Sequence, residues 1–295
     1  MQINKTSLAG FPVGHTLSPM RPDEILRLAE WAKAEGWNPG CSDLSIARRL
    51  DPEAFIALRD GDELIGGGTV FRISPFFGFM GLFIVRSDRR GAGLGRVLWH
   101  YRRDHLLERL QPGASIGMDG VLDMVPFYTE GGFRLAHRDL RFQGAAWGDA
   151  DPEVRAPTTE DFPAIVALDT CLFGAARPEF LSAWINAPGV QAVVLRSESQ
   201  RIVALAAMRP ALEGYKFGPV LAESPDLARR VICHLMSKAP GQNVQLDVPE
   251  PNASGLALAE SLGLKPVFSC ARMYYGPVPK VDVQRIYGVT SFEFG

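Results

Sequence analysis

Arg89-Arg90-Gly91-Ala92-Gly93-Leu94-Gly95 is the most informative segment of the chain. The apolar run Phe79–Val85 leads into it, and Leu94, Val97, Leu98, Tyr101, Leu106 and Leu110 recur after it at helical spacing. A strand therefore enters a glycine-rich turn that opens a helix. Glycines let successive amides point into one concavity, and the helix start adds unpaired N–H donors and the positive end of a dipole. Those are the requirements for holding a pyrophosphate, and Arg89 and Arg90 add charge at the rim. A nucleoside-triphosphate loop is excluded because the Lys-Ser/Thr ending is missing, and a dinucleotide fingerprint because the third glycine is misplaced. An exposed strand–helix turn is the structural alternative.

Outward from this turn the pattern is regular. Residues 22–35 form an amphipathic helix with Pro22 in its first turn. Short strands follow at Phe55–Leu58 and Leu64–Phe71, the latter carrying Gly66-Gly67-Gly68, which marks a bulge or a close approach. Downstream come a strand at Ser115–Met118, a short helix at Val125–Glu130 and a strand at Phe133–Phe142. Residues 144–154 read as a linker. The plan then repeats, with helices at Asp161–Leu172, Phe180–Ile185, Leu227–Ser237 and Ser254–Leu262. Strands are expected at Ala192–Arg196, Ile202–Met208, Phe217–Leu221, Val244–Val248 and Val267–Tyr274. The fold class is α/β with two related domains, 1–148 and 149–295, the second ending in a tail whose Tyr287–Phe294 pattern suits a strand over an exposed edge.

The turn resembles the pyrophosphate loop of the GNAT acetyltransferase superfamily, carried as Arg90-x-x-Gly93-x-Gly95. Phe127-Tyr128-Thr129-Glu130-Gly131-Gly132-Phe133 resembles that family's second motif, a tyrosine five residues before a Gly-Phe. The likeness covers 22–143 well and 155–275 weakly, and it is similar to the two-domain bacterial type. It implies a tandem GNAT-like fold, a mixed, mostly antiparallel sheet flanked by helices in each half. It also implies acetyl-CoA as cosubstrate, with the backbone of Phe83, Ile84 and Val85 along the pantetheine. Arg89, Arg90, Gly91, Ala92, Gly93, Leu94 and Gly95 are then expected around the pyrophosphate. In the family a tyrosine in the place of Tyr128 points at the CoA sulfur, and a phenol stays protonated at neutral pH. Packing in the core is the other account of it.

The base is less defined. The strand Phe79-Met80-Gly81-Leu82-Phe83 lacks the glutamate that many family members carry, so Asp119, ending the next strand, is the candidate for proton transfer or amine binding; turn or helix capping is its structural alternative. In the second half, Leu221-Ala222-Glu223-Ser224-Pro225-Asp226-Leu227 stands where the glycine turn would be, and Ala259 where Tyr128 would be, so no second cofactor site is expected. That half is expected either to brace the first or to wall the acceptor pocket through Lys216, Asp247 and Arg272. Pairing of Arg272 with Asp247, and helix capping by Asn252, are the competing structural roles. Phe71, Phe76, Phe77, Phe79 and Phe83 read mainly as core, with Trp31 and Trp37 as further candidates for an apolar pocket wall.

Composition sets the outer bounds. A chain of 295 residues with 46% hydrophobic and 22% charged residues supports two globular domains. A net charge of −2 argues against nucleic acid as partner. No apolar run is long enough for a membrane span, and Met1–Ser7 leads into no signal-peptide core, so a cytoplasmic protein is expected. Cys41, Cys171, Cys233 and Cys270 lack metal or dithiol spacing and are expected to be reduced and mostly buried, and no metal is expected. The expected activity is N-acetyl transfer from acetyl-CoA to the amine of a small metabolite. A protein or peptide acetyltransferase, or a non-catalytic acyl-CoA sensor or scaffold, are the alternatives. Nothing in the sequence sets the oligomeric state.

Overall fold

The computed structural model describes residues 14–295, which build one twelve-stranded sheet with helices on both faces. Met1–Ser7, on which the secretion reading rested, lies outside the described residues. The first half contains β1 (His15–Pro19), α1 (Pro22–Ala34), α2 (Asp43–Leu50), β2 (Phe55–Asp60), β3 (Glu63–Ser74), β4 (Phe77–Val85), α3 (Leu94–Glu108), β5 (Ser115–Val121), α4 (Val125–Glu130) and β6 (Arg134–Ala145). The second contains α5 (Phe162–Phe173), α6 (Pro178–Ile185), β7 (Gln191–Arg196), β8 (Ile202–Pro210), β9 (Tyr215–Ala222), α7 (Pro225–Met236), β10 (Asn243–Pro249), α8 (Ala253–Ser261), β11 (Lys265–Tyr275) and β12 (Ile286–Gly288). Sequence patterning missed β1 and α2. Of β1's five residues only Leu17 is a buried hydrophobic, so no alternation is visible, and α2 is a helix of eight residues, three of them charged.

Strand order is β1-β2-β3-β4-β5-β11-β6-β10-β9-β8-β7, with only β4·β5 and β9·β10 parallel. The two halves have exchanged their last long strands. β11 pairs β5 of the first half from Cys270↔Val121 to Tyr275↔Ile116, while β6 pairs β10 of the second from Asn243↔Ala145 to Pro249↔Asp139. The sheet thus runs unbroken across the boundary expected near residue 148.

Side chains alternate across the sheet and so assign its faces. Phe55, Ala57, Phe71, Leu82, Ile84 and Leu205 join one core shared by α1, α2, α5 and α6. Ile56, Leu58, Val70 and Val85 join a core on the opposite face with α3 and α4, and Ala204 and Ala206 join another beside α7 and α8.

Each half opens a gap between its two parallel strands. β4 and β5 pair from Phe77↔Ser115 to Met80↔Met118 and then separate. A bulge starts there: Gly67 faces Ile84 and Thr69 faces Gly81, so Leu82 and Phe83 together oppose Gly68, and Leu82 takes φ +49°. In the second half β9 and β10 pair only at Tyr215↔Val244 and Lys216↔Gln245. There β12 occupies the gap, pairing with Leu221 and Val220 of β9, and Val289 N–H donates to the Asp247 carbonyl on β10 at 2.9 Å. The tail fills an interior gap rather than covering an outer edge. Gly218 is required at this crossing, because a Cβ there would collide with the carbonyls of Val289 and Thr290. Phe294 then anchors the end of the tail, fully buried against Phe71 and Phe180.

Candidate active site

A cavity of about 810 Å³ passes through the sheet at the gap between β4 and β5. On one face Phe83, Val85, Trp99, Arg102, Phe127 and Tyr128 line it; on the other, Leu82, Ile84, Trp37 and Phe292. Arg90, Gly91, Gly95 and Arg96 line the end at the glycine turn, and Phe268, Ser269, Cys270, Phe292 and Glu293 bring the second half into the wall.

Local chemistry explains the turn. Gly91 and Gly93 adopt φ +83° and +77°, with Gly93 as N-cap of α3, a backbone shape that side chains with a Cβ resist. Arg90 donates Nε–H to the Val85 carbonyl at 2.7 Å and pairs with Glu35 at 2.5 Å, which fixes it at the rim. Arg89 points elsewhere, pairing with Asp60 and Glu63 at 3.2 Å each. Ala92 and Gly93 are exposed at the turn's apex, and Leu94 is buried in the core beneath it. Arg96, absent from the sequence reading, lines the cavity with its guanidinium over Phe127 at 5.3 Å. As a solvent-facing helix arginine it carries no sequence signal.

Tyr128 on α4 is 3% exposed and stacks on Trp99, centroids 6.0 Å apart. Gly120 must be glycine for this, since a Cβ there would run into the Tyr128 ring. Burial pushes the Tyr128 phenol up to about 12, with the Arg102 cation pulling the other way. Arg102 is the second residue that sequence reasoning missed. Its Nη2 donates to the carbonyls of Thr69 and Gly81 at 2.6 Å each, while Nε and Nη1 are buried without partners. Burial pushes its pKa down to about 9. Gly68 makes this position possible, because a Cβ there would stand 2.5 Å from the Arg102 Cζ. The triple-glycine run was the available signal.

Two family models match the chain, one described as the GNAT acetyltransferase family over residues 22–133 and one as a GNAT acetyltransferase domain over 165–288. The chain is a tandem GNAT protein. It is 25% identical over 283 residues to the holothin acyltransferase of Pseudoalteromonas sp. (strain SANK 73390), covering 95% of this chain and 94% of that one. Its fold is similar to a putative acetyltransferase from Pyrococcus horikoshii, with TM-score 0.78, 20% identity and 97% of each chain covered. It is also similar to a tandem GNAT protein from the clavulanic acid biosynthesis pathway, with TM-score 0.63, 14% identity and 90% and 99% of the two chains covered. The protein is an acyltransferase of GNAT type, a family that generally uses acyl-CoA.

In this tandem GNAT protein the remaining sequence candidates take other places. Asp119 borders the cavity, but its side chain is 0% exposed and both oxygens accept from Arg272 at 2.6 Å. Burial, with Asp139 nearby, holds the Asp119 carboxyl well above the usual range despite Arg272. Arg272 also stands 3.6 Å from Asp139, so it joins β11 to β5 and β6 and does not pair with Asp247. Asp247 instead accepts two hydrogen bonds from Arg141 at 2.7 and 2.8 Å. Lys216, 1% exposed, lies 3.9 Å from Asp247 and 3.7 Å from Glu293. None of Lys216, Asp247 and Arg272 lines the cavity: as strand residues they spend their charges between strands. Asn252 caps α8, its Oδ1 accepting from Gly255 N–H at 2.9 Å.

Trp37 lines the cavity, whereas Trp31 packs with the core. Phe83 also lines it, Phe71, Phe77 and Phe79 are core, and Phe76 is exposed. The four cysteines are free, but Cys41 and Cys171 are exposed, contrary to the expectation of mostly buried thiols. Among the described residues there is no helix long and apolar enough to cross a membrane, and no cluster of three metal-ligating side chains.

Proposed function

We propose that this protein transfers the acetyl group of acetyl-CoA to the amine of a small metabolite. The cavity carries this reading. It begins at the glycine turn, crosses the sheet beside Tyr128, and ends against Trp37, Phe268 and Phe292. Arg141 ties those three aromatics together, donating to the Trp37 carbonyl at 2.7 Å with its guanidinium 4.7 Å from the Phe292 ring and 5.8 Å from that of Phe268. Walls supplied by the second half leave room for a compact acceptor instead of an open groove for a peptide, and the aromatics favour one with a flat apolar body.

In this reading Gly91 to Gly95, with Arg90 and Arg96, hold the pyrophosphate, and the edge of β4 from Leu82 to Val85, which β5 has left, lies along the pantetheine. Main-chain amides at the β4 bulge polarise the thioester carbonyl. Tyr128 meets the leaving sulfur on the α3/α4 face, while the amine approaches from the face of α1 and α2. The second half binds no acyl-CoA: β12 lies in its gap, Ser224 caps α7, and Glu223 is held by Arg201 and Arg285.

Release of CoA thiol with acetyl-CoA and a panel of primary amines tests the activity; no release with any amine would leave the sensor reading in its place. Calorimetric titration is expected to give one acetyl-CoA per chain, and a stoichiometry of two would overturn the single-site assignment. Gly93→Val forces a β-branched side chain to φ +77°, a strain of about 1–3 kcal/mol. Acetyl-CoA affinity is expected to fall by roughly tenfold or more. A folded variant with unchanged affinity would remove the pyrophosphate from this turn.

A further inference from the structure

We propose that Glu293, carried on the tail, is the carboxylate that binds and deprotonates the acceptor's ammonium group. The inference rests on the acyl-transfer reading and adds the group that it lacks, a base on the acceptor side. Glu293 lines the cavity, its side chain 3% exposed. Its Oε2 is buried with no hydrogen-bond partner, and the nearest cation, Lys216 Nζ, stands 3.7 Å from Oε1, too far for a hydrogen bond. A buried carboxylate oxygen left without a donor is costly, and an ammonium brings three.

The other carboxylates of the cavity are differently placed. Asp119 is saturated by Arg272, Glu35 is paired with Arg90, and Asp123 is exposed. Glu293 is also held where the chemistry happens. Its own carbonyl presses on Gly81 of β4, so closely that a Cβ on Gly81 would collide with it, and β4 leaves β5 immediately after Met80. Ser291 Oγ accepts the main-chain N–H groups of Glu293 and Phe294 at 3.2 and 3.0 Å, and Phe294 is locked in the core. A carboxylate-bearing residue is thereby brought beside β4 by a segment more than 200 residues later in the chain.

The step balances without another reactant. Glu293 takes one proton from R–NH3⁺, and the neutral amine attacks the thioester carbon. As the tetrahedral adduct collapses, the C–S bond breaks with its electron pair on sulfur. Tyr128 gives its proton to the sulfur and regains one from the adduct nitrogen, which restores the phenol, and Glu293 returns its proton to water. The charged groups facing Glu293 are Lys216 on β9 and Arg141 on β6, with Asp247 on β10 behind Lys216.

The test uses the whole chain, acetyl-CoA and the amine from the panel that releases CoA fastest. Glu293→Gln is expected to lower kcat/KM for that amine by about 10²–10⁴-fold. Calorimetric affinity for CoA is expected to stay within about threefold of wild type. Glu293→Ala should recover part of the lost rate with added formate. A carboxylate that only packs against Lys216 would give neither the selective loss of kcat/KM at retained CoA affinity nor the rescue. Should Glu293→Gln fail to fold, Glu293→Asp, which retracts the charge by one methylene, is expected to be at least about tenfold slower with CoA affinity retained. A Glu293→Gln enzyme within about threefold of wild type from about pH 6 to 9, or an unimpaired Glu293→Asp, overturns the proposal. Absence of any wild-type turnover would instead overturn the acyl-transfer reading beneath it.

Discussion

Tyr128→Phe is expected to lower kcat by about 10²-fold, the lower end of the usual range for general-acid catalysis, with CoA affinity little changed. The lower end follows from its surroundings. A phenol pushed up to about 12 holds its proton throughout the assay range, but a thiol near that of cysteine ionises at about 8.5. Outright transfer from one to the other is uphill. Tyr128 therefore contributes a hydrogen bond that strengthens as charge develops on sulfur, and it passes its proton on as the adduct's nitrogen gives one up. Phenylalanine keeps the ring on Trp99 and the fit against Gly120, so stability is expected to hold. Single-turnover kinetics that isolate the chemical step provide the measurement. A variant within about threefold of wild type in that step would leave the reaction to positioning and main-chain polarisation.

Arg272→Met is expected to destabilise the fold by about 3–5 kcal/mol, the usual cost of stripping one partner from a buried ion pair. Arg272 is the charge through which the exchanged strand β11 holds Asp119 of β5 and stands beside Asp139 of β6, and both aspartates are fully buried. At roughly 2–4 °C per kcal/mol, Tm falls by on the order of 10 °C. The loss depends on pH. Asp119's folded pKa already lies above its ordinary value, and removing the cation raises it further. A raised carboxyl contributes stability that is present below its unfolded pKa and lost as pH rises through its folded value. The penalty is therefore expected to be smallest at acid pH and to grow towards neutrality. Arg138, whose pair with Glu250 is exposed and also joins the two halves, is the control. Its alanine variant should lose no more than about 1 kcal/mol. An Arg272→Met loss equally small would mean that β11 is held by its ladder and its packing alone.

Most of the elements, though not β1 or α2, and the glycine turn were legible in the sequence. Glycines at 91 and 93 are needed for positive φ, the 3.6-residue period after Leu94 is a local property, and the alternation in β2 to β5 follows from which face is buried. These depend on neighbours within a few residues, so they survive without knowledge of the fold. Tyr128 was singled out by the resemblance of its segment to a family motif, and it lines the cavity. Partner choice was another matter. β6 and β11 show the same period-two pattern whichever strands flank them, so nothing local announced that each would cross to the other half.

Arg272 met Asp119 and Arg141 met Asp247 for the same reason. An ion pair between strands is set by register across the sheet, not by separation along the chain. Tertiary structure alone decided that residues 286–288 would enter the second half's gap, that Arg102 would lie under the bulge cleared by Gly68, and that Glu293 would arrive beside Gly81. Each of these depends on strand pairing between residues far apart in sequence, where loop closure must be overcome before any contact is gained. Local patterning carries no record of where such a closure ends.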